Sequence, residues 1–405
     1  MSRTLKTALL CVSTLLVGFV FASRYSVRAS DGGTETPYKQ LRVFTDVLLR
    51  IDERYVEQPD MPAVTNGALH GLLESLDSES GYMTPEEYRQ YLSQKDGAAG
   101  IGAVVSKRAG YAIVVSVLPG GAAAKAGVEN GDILESVDGK NTHDLPLPLL
   151  RAILSGEAGS KVNLSLIRAR KVQPVKLVVT REAARFAPIS FKMLDDKSGY
   201  LKVGSLNSGR AEEISAAIRQ LQGQGAQRLV LDLRGCAWGD PAEGIAVANL
   251  FLDKGLIATL QGQTVAKQSF SADPAKRVTA LPLAVLIDRS TAGAAEIVAA
   301  AIAGNQRGIV TGEKSFGTGS TQKLIPLEDG SAILLSVAKY YTPAGKAIQD
   351  TPLTPEIAVA NPLDDYYFTD SGEEGAPAEE LQPKKKDADE VLKKALEALK
   401  SKKAA

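Results

Sequence analysis

The chain has 405 residues, 44% hydrophobic and only 5% aromatic, enough to bury a sizeable core and long enough for two or three domains. Lys+Arg and Asp+Glu balance at 47 each, so no global field draws in nucleic acid or an acidic membrane surface, and partners have to be chosen locally. Two cysteines (Cys11, Cys236) and two histidines (His70, His143), none in ligand spacing, argue against a zinc site and a serine–histidine triad; no metal and no cofactor are expected.

At the N-terminus Arg3 and Lys6 precede an apolar run at 7–22, and Arg24 and Arg28 follow it. Residues 1–30 therefore read as a signal peptide or membrane anchor, of a length between the two, which sends the chain to the cell envelope, either periplasmic or anchored by 7–22. Cys11 lies too early in the run for a lipoprotein acceptor, so a form cut after it keeps one thiol, Cys236. Residues 38–96 make a helical arm. Leu41, Phe44, Val47, Leu48 and Ile51 recur at helical spacing, a second helix is expected over 62–76, and Thr84-Pro85-Glu86-Glu87 starts a third. The arm either packs locally or pairs subunits into a homo-oligomer.

From residue 97 the pattern changes to short β-rich runs bounded by glycines, at 103–105, 111–117, 133–137, 161–167 and 175–179, which together mark a compact domain over 97–183. Beyond 189, strands at 200–203, 228–233 and 283–287 alternate with helices at 211–222, 241–252 and 294–304. That alternation argues for a sheet with crossover helices over 189–360. Residues 361–386 are polar, acidic and then Lys-rich, a disordered linker, and 387–403 close the chain with an amphipathic helix. The fold class expected is multidomain α+β.

The second domain opens with Gly100-Ile101-Gly102-Ala103, runs through Pro119-Gly120-Gly121-Ala122-Ala123-Ala124-Lys125-Ala126-Gly127 and reaches Gly131-Asp132-Ile133-Leu134. These strings resemble a PDZ domain. A glycine-rich turn before an edge strand can aim several backbone N–H groups at a ligand's terminal carboxylate, and the strand from Ala103 can then pair with the incoming peptide. Leu149, Leu150 and Ile153, on the helix expected to flank that groove, either select the ligand's last side chain or pack the core.

The third domain carries Leu231-Asp232-Leu233-Arg234-Gly235, Ser290-Thr291-Ala292-Gly293-Ala294-Ala295-Glu296, Gly312-Glu313-Lys314-Ser315-Phe316-Gly317-Thr318-Gly319-Ser320-Thr321-Gln322 and Tyr340-Tyr341-Thr342-Pro343. These strings, and the order of parts from export segment to C-terminal helix, resemble the C-terminal processing (tail-specific) peptidases over about residues 38–400. The resemblance implies a ClpP/crotonase-like α/β core behind the PDZ domain, and protein C-termini or unfolded peptides as partners.

It also implies a serine nucleophile at the third position of S-A-S-A-S-E and a lysine base in F-G-K-G-x-x-Q, 25 positions on. With Glu296 setting the register, Gly293 stands at the serine position and Thr318, 25 positions later, at the lysine position, while Gln322 keeps the place of the supporting glutamine. After Arg234-Gly235, where the family shows Asn-Pro-Gly-Gly to help form the oxyanion hole, this chain has Cys236-Ala237-Trp238-Gly239. Glycine has no oxygen to attack with and threonine cannot serve as the base, so a peptide-binding or regulatory protein, alone or beside an active protease relative, is expected. The alternative is a peptidase whose role has moved to Ser290 and Lys314, or to Cys236.

Overall fold

The structure is a computed structural model that describes residues 37–94, 99–168, 171, 173–359 and 389–401. The expected targeting segment at 1–30 and the whole linker at 361–386 lie outside the described residues. The chain divides into two units, 1–68 and 69–405. In the first, helix α1 (Pro37–Arg54) is amphipathic, with Leu41, Phe44 and Val47 among its exposed side chains, and helix α2 (Met61–Glu74) begins.

The second unit continues α2 into β1 (Gly81–Met83) and α3 (Pro85–Gln94). Thr84 and Glu87 cap α3 reciprocally, each accepting the other's backbone N–H, which is the function of the Thr-Pro-Glu-Glu string. There follow β2 (Ala99–Gly100), β3 (Ala103–Arg108), β4 (Tyr111–Val117), the short helix α4 (Ala122–Ala126), β5 (Ile133–Val137), β6 (Lys140–Asn141), α5 (Leu147–Leu154), β7 (Ser155–Gly156), β8 (Lys161–Ile167) and β9 (Val175–Thr180). The strands form an antiparallel sheet in the order β3-β4-β5-β8-β9, with β6 beside β5 and a separate β2-β7 pair. Its core is aliphatic, built on Val114, Leu134, Leu149, Leu150, Leu164 and Leu166.

The larger part runs β10 (Ser190–Met193), β11 (Ser198–Lys202), β12 (Ser205–Leu206), α6 (Arg210–Gly223), β13 (Arg228–Asp232), β14 (Trp238–Gly239), α7 (Pro241–Asn249), β15 (Leu256–Gln261), β16 (Gln268–Ser271), β17 (Leu283–Ile287), α8 (Ala294–Gly304), β18 (Ile309–Gly312), β19 (Ser320–Pro326), β20 (Ala332–Tyr341), β21 (Ile357–Ala358) and α9 (Glu390–Ser401). The central sheet has the order β10-β11-β13-β17-β18-β21 and is parallel except for its first pair. Successive side chains alternate faces. Leu229, Leu231, Leu283, Val285 and Ile287 meet α6, α7 and α8, whereas Val230, Ala284 and Leu286 meet Ala395 and Leu399 of α9. Near-continuous apolar strands follow from that double burial. A second sheet, β1-β20-β15-β16 with β19 on β20, stands beside it. The loops that follow β13, β17 and β18 carry the candidate site.

Candidate functional site

Gly293 is the residue before α8, and its backbone has φ +62° and ψ −119°, a conformation that L side chains rarely adopt. A Cβ built there meets nothing within 4 Å, so the position is strained in its backbone and open in its surroundings. A sharp turn between a strand and a helix start is the geometry that presents a nucleophile in α/β hydrolases, but here no side chain stands on it.

Glu296, one turn further on, is fully buried and holds the neighbouring loop in place. Its carboxylate accepts from the Gly293 amide (3.0 Å), the Gly317 amide (2.8 Å), the Thr318 amide (2.8 Å) and the Ser315 hydroxyl. Burial raises its carboxyl to about 7, against the opposing pull of those donors. Gly293 and Thr318, apart by 25 positions, are thus tied through their backbones to one and the same carboxylate oxygen, Glu296 Oε2. Sequence reasoning used Glu296 only to set register; an acidic residue three positions after a helix start, in an otherwise apolar run, was the available signal.

Gln322 lies in β19, where its amide donates to Ser320 Oγ (2.7 Å) and to Ser336 Oγ (3.5 Å). The Gly319 amide and the Ser320 hydroxyl both reach Gln349 Oε1. Ser336 continues the chain of polar contacts to Asp77 Oδ1 at 3.1 Å.

The loop after β13 is pinned by Asp288, whose Oδ1 accepts from the amides of Gly235 and Ser290, each at 3.0 Å, and from the Thr291 hydroxyl at 3.1 Å. Burial pushes the Asp288 carboxyl up despite these bonds. Cys236 is 0% exposed and its thiol is pushed up to about 12 by burial. Ser290 is 2% exposed, Lys314 is exposed, and no hydrogen bond joins them among the described residues. Trp238 pairs with Ser205 in the short β12-β14 ladder and packs edge-on to Phe186, ring centroids 6.1 Å apart. Gly239 has φ +148°, and a Cβ there would stand 2.5 Å from Leu206 O.

In the PDZ-like part, Gly100, Ile101, Gly102 and Ala103 line one cleft of about 300 Å³ together with Arg151 and Leu154. Leu149 and Ile153 do not line it. Both are buried in the core of that sheet, and so is Leu150. The helical phase explains the difference: Arg151 and Leu154, three residues apart, share the cleft side of α5, whereas Leu149 and Ile153, four apart, fall on the opposite side. Arg151 donates Nε to the Val105 carbonyl (2.9 Å) and pairs in bidentate fashion with buried Glu79 (2.6 and 3.0 Å). Neither Arg151 nor Glu79 was singled out from sequence.

This sheet also rests on the loops around Gly293. Val115, Ala292 and Phe316 form one apolar cluster. Ser116 Oγ donates to the Gly235 carbonyl at 2.8 Å, and Arg108 lies 4.4 Å over the Phe316 ring while its guanidinium reaches the Phe316 carbonyl. Among the described residues no cluster of three or more His, Cys, Asp or Glu could hold a metal ion. No described helix is long and apolar enough to cross a membrane.

Comparison with known proteins identifies the two parts. Residues 197–359 match the model of peptidase family S41, and residues 113–168 match a PDZ domain. A carboxy-terminal-processing protease of Bartonella bacilliformis is 33% identical over 82% of this chain and 78% of its own length. The carboxy-terminal processing protease CtpA of Bacillus subtilis is 32% identical over 77% of this chain and 67% of its own. The solved structure of a photosystem II D1 C-terminal processing protease superposes with TM-score 0.63 and 26% identity, over 78% of this chain and 92% of that one.

Proposed function

The chain belongs to the carboxy-terminal-processing protease family, with a PDZ domain ahead of an S41 core, and from that premise we propose that it is a proteolytically silent member that binds the free C-termini of proteins or unfolded peptides. The observation that carries the reading is Gly293: the strained turn before α8 is present, and no oxygen stands on it. Thr318 replaces the base, and Trp238 enters the loop whose backbone would otherwise approach a substrate carbonyl. Loss of a nucleophile of this kind costs on the order of a millionfold in turnover in other serine peptidases.

The relocated alternative lacks support from the geometry. The Cys236 thiol is buried and held protonated, and Ser290 and Lys314 do not meet. Peptide binding is supported by the cleft at Gly100–Ala103, which has the glycine-rich turn and edge strand that carboxylate capture needs. The apolar run at 7–22 supports export to the cell envelope. Homo-oligomer formation through the exposed apolar face of α1, and assembly with an active protease relative, belong to the same proposal.

The test is casein cleavage by the purified chain beside a Gly293→Ser/Thr318→Lys double variant. The natural chain is expected to leave casein intact. Reproducible cleavage that disappears in Ser290→Ala or Cys236→Ala would overturn the proposal and place the nucleophile at that residue.

A further inference from the structure

The cleft at the start of β3 has one wall that the PDZ domain does not supply. Besides Ile101 and Ala103 it is lined by Trp238, from β14 of the S41 core. The indole is held from several directions. Phe186 packs edge-on against it at an interplanar angle of 64°, β14 is in register with β12, and Gly239 must lie flat on Leu206 because no Cβ fits there.

The rest of the cleft specifies a ligand. The amide and carbonyl of Gly100 are taken by the backbone of Glu182, at 3.1 and 3.0 Å. The next two amides, Ile101 and Gly102, donate to no acceptor among the described residues. Two consecutive open N–H groups at the end of a cleft are complementary to one carboxylate. At the other end, the guanidinium of Arg151 occupies the Val105 carbonyl and is locked to Glu79, itself 3% exposed. That carbonyl is the edge group that a longer peptide strand would use. From Ala103 to Val105 only two strand rises, about 7 Å of edge, are left.

We propose that Trp238 is a specificity-determining residue of this cleft, which takes about the last two or three residues of a chain ending in a free carboxylate. The carboxylate sits on the Ile101 and Gly102 amides, and the last side chain, apolar, lies against the indole. The inference rests on the peptide-binding reading above and adds the ligand's length, its last residue and the side chain that reads it. The loop that would serve catalysis in an S41 peptidase here serves recognition.

Trp238 is the single tryptophan of the chain, so its fluorescence reports on the site directly. The full chain is titrated with three hexapeptides of one sequence, ending in free Leu, free Gly or amidated Leu, and binding is followed by calorimetry and by tryptophan emission. The free Leu peptide should bind and change the emission, and amidation should weaken it at least about tenfold. Trp238→Ala should weaken the free Leu peptide about tenfold and the free Gly peptide no more than about twofold, whereas Trp238→Phe should keep most of the preference. A matching thermal melt for the Phe variant separates recognition from folding. If free-carboxylate binding persists in calorimetry with no emission change and an unaltered Leu/Gly preference in Trp238→Ala, the role of Trp238 is overturned and peptide binding stands. If the natural chain binds none of the three, both fail together.

Discussion

Two buried titratable side chains beside Gly293 show what burial does to single groups. With its thiol pushed up to about 12, Cys236 is protonated throughout the working range, and access is closed as well. Iodoacetamide at pH 8 should therefore leave Cys236 unmodified in the native chain and alkylate it at least about a thousandfold faster in denaturant, read by peptide mass. Rapid native labelling would revive it as a nucleophile. Glu296 moves in the direction unusual for an acid. Its folded carboxyl sits at about 7, above its ordinary 4.5, so between those pH values the folded state keeps a proton that the unfolded state has released. Its contribution to stability is fully present below about 4.5 and is lost as pH rises through 7. The difference in unfolding free energy between the natural chain and Glu296→Gln should fall by up to about 3 kcal/mol over that window in urea titrations. A difference that stays flat with pH would contradict the assignment.

Among the elements, α7 and α8 illustrate how two glycines near one site are required for different reasons. Gly244 in α7 lies where a Cβ would stand 2.6 Å from the Ala294 carbonyl at the start of α8, so Gly244→Ala must push the helices apart. Overpacking of this type costs about 1–3 kcal/mol. Gly293 has open space around it and a left-handed backbone, so Gly293→Ala should cost a comparable amount, about 1–3 kcal/mol, through strain and with no helix displacement. Thermal melts give the magnitudes, and hydrogen exchange along α7 separates the two: it should rise in Gly244→Ala and stay unchanged in Gly293→Ala. Helix α5 carries the lesson of phase. Its apolar residues announce an amphipathic helix, but its cleft-facing residues include an arginine, and the most apolar positions, Leu149, Leu150 and Ile153, belong to the core.

At the scale of the whole molecule, the β3-β4 hairpin of the PDZ domain lies on the loops around Gly293 through few contacts: Ser116 to Gly235, Arg108 on Phe316, and the Val115–Ala292–Phe316 cluster. Burial lowers the Arg108 pKa against the pull of Glu296 and Asp350, yet an arginine stays charged, so its attraction to the Phe316 ring and carbonyl persists at every working pH. Removing it leaves an apolar cluster of three buried residues as the main contact. Arg108→Ala should raise hydrogen exchange at residues 103–117 and 315–318 together, by about tenfold, with the central sheet unaffected. Unchanged exchange at both segments would mean that the apolar cluster and the Ser116–Gly235 bond hold the domain down without Arg108.

What could be read from the amino-acid order was whatever depends on near neighbours. The PDZ strings, the alternation of strands and helices in the core, and the identities at Gly293, Thr318 and Trp238 are local patterns, and a residue type at a motif position needs no coordinates. Contacts between distant elements were decided only on folding. Glu296 gathers donors from Ser315 to Thr318, Arg151 finds Glu79 at a separation of 72 residues, and Trp238 lines a cleft that begins at Gly100. Periodicity states which face of an element is apolar, but which other element meets that face, and which side chain fills the gap between them, is set by close packing in three dimensions.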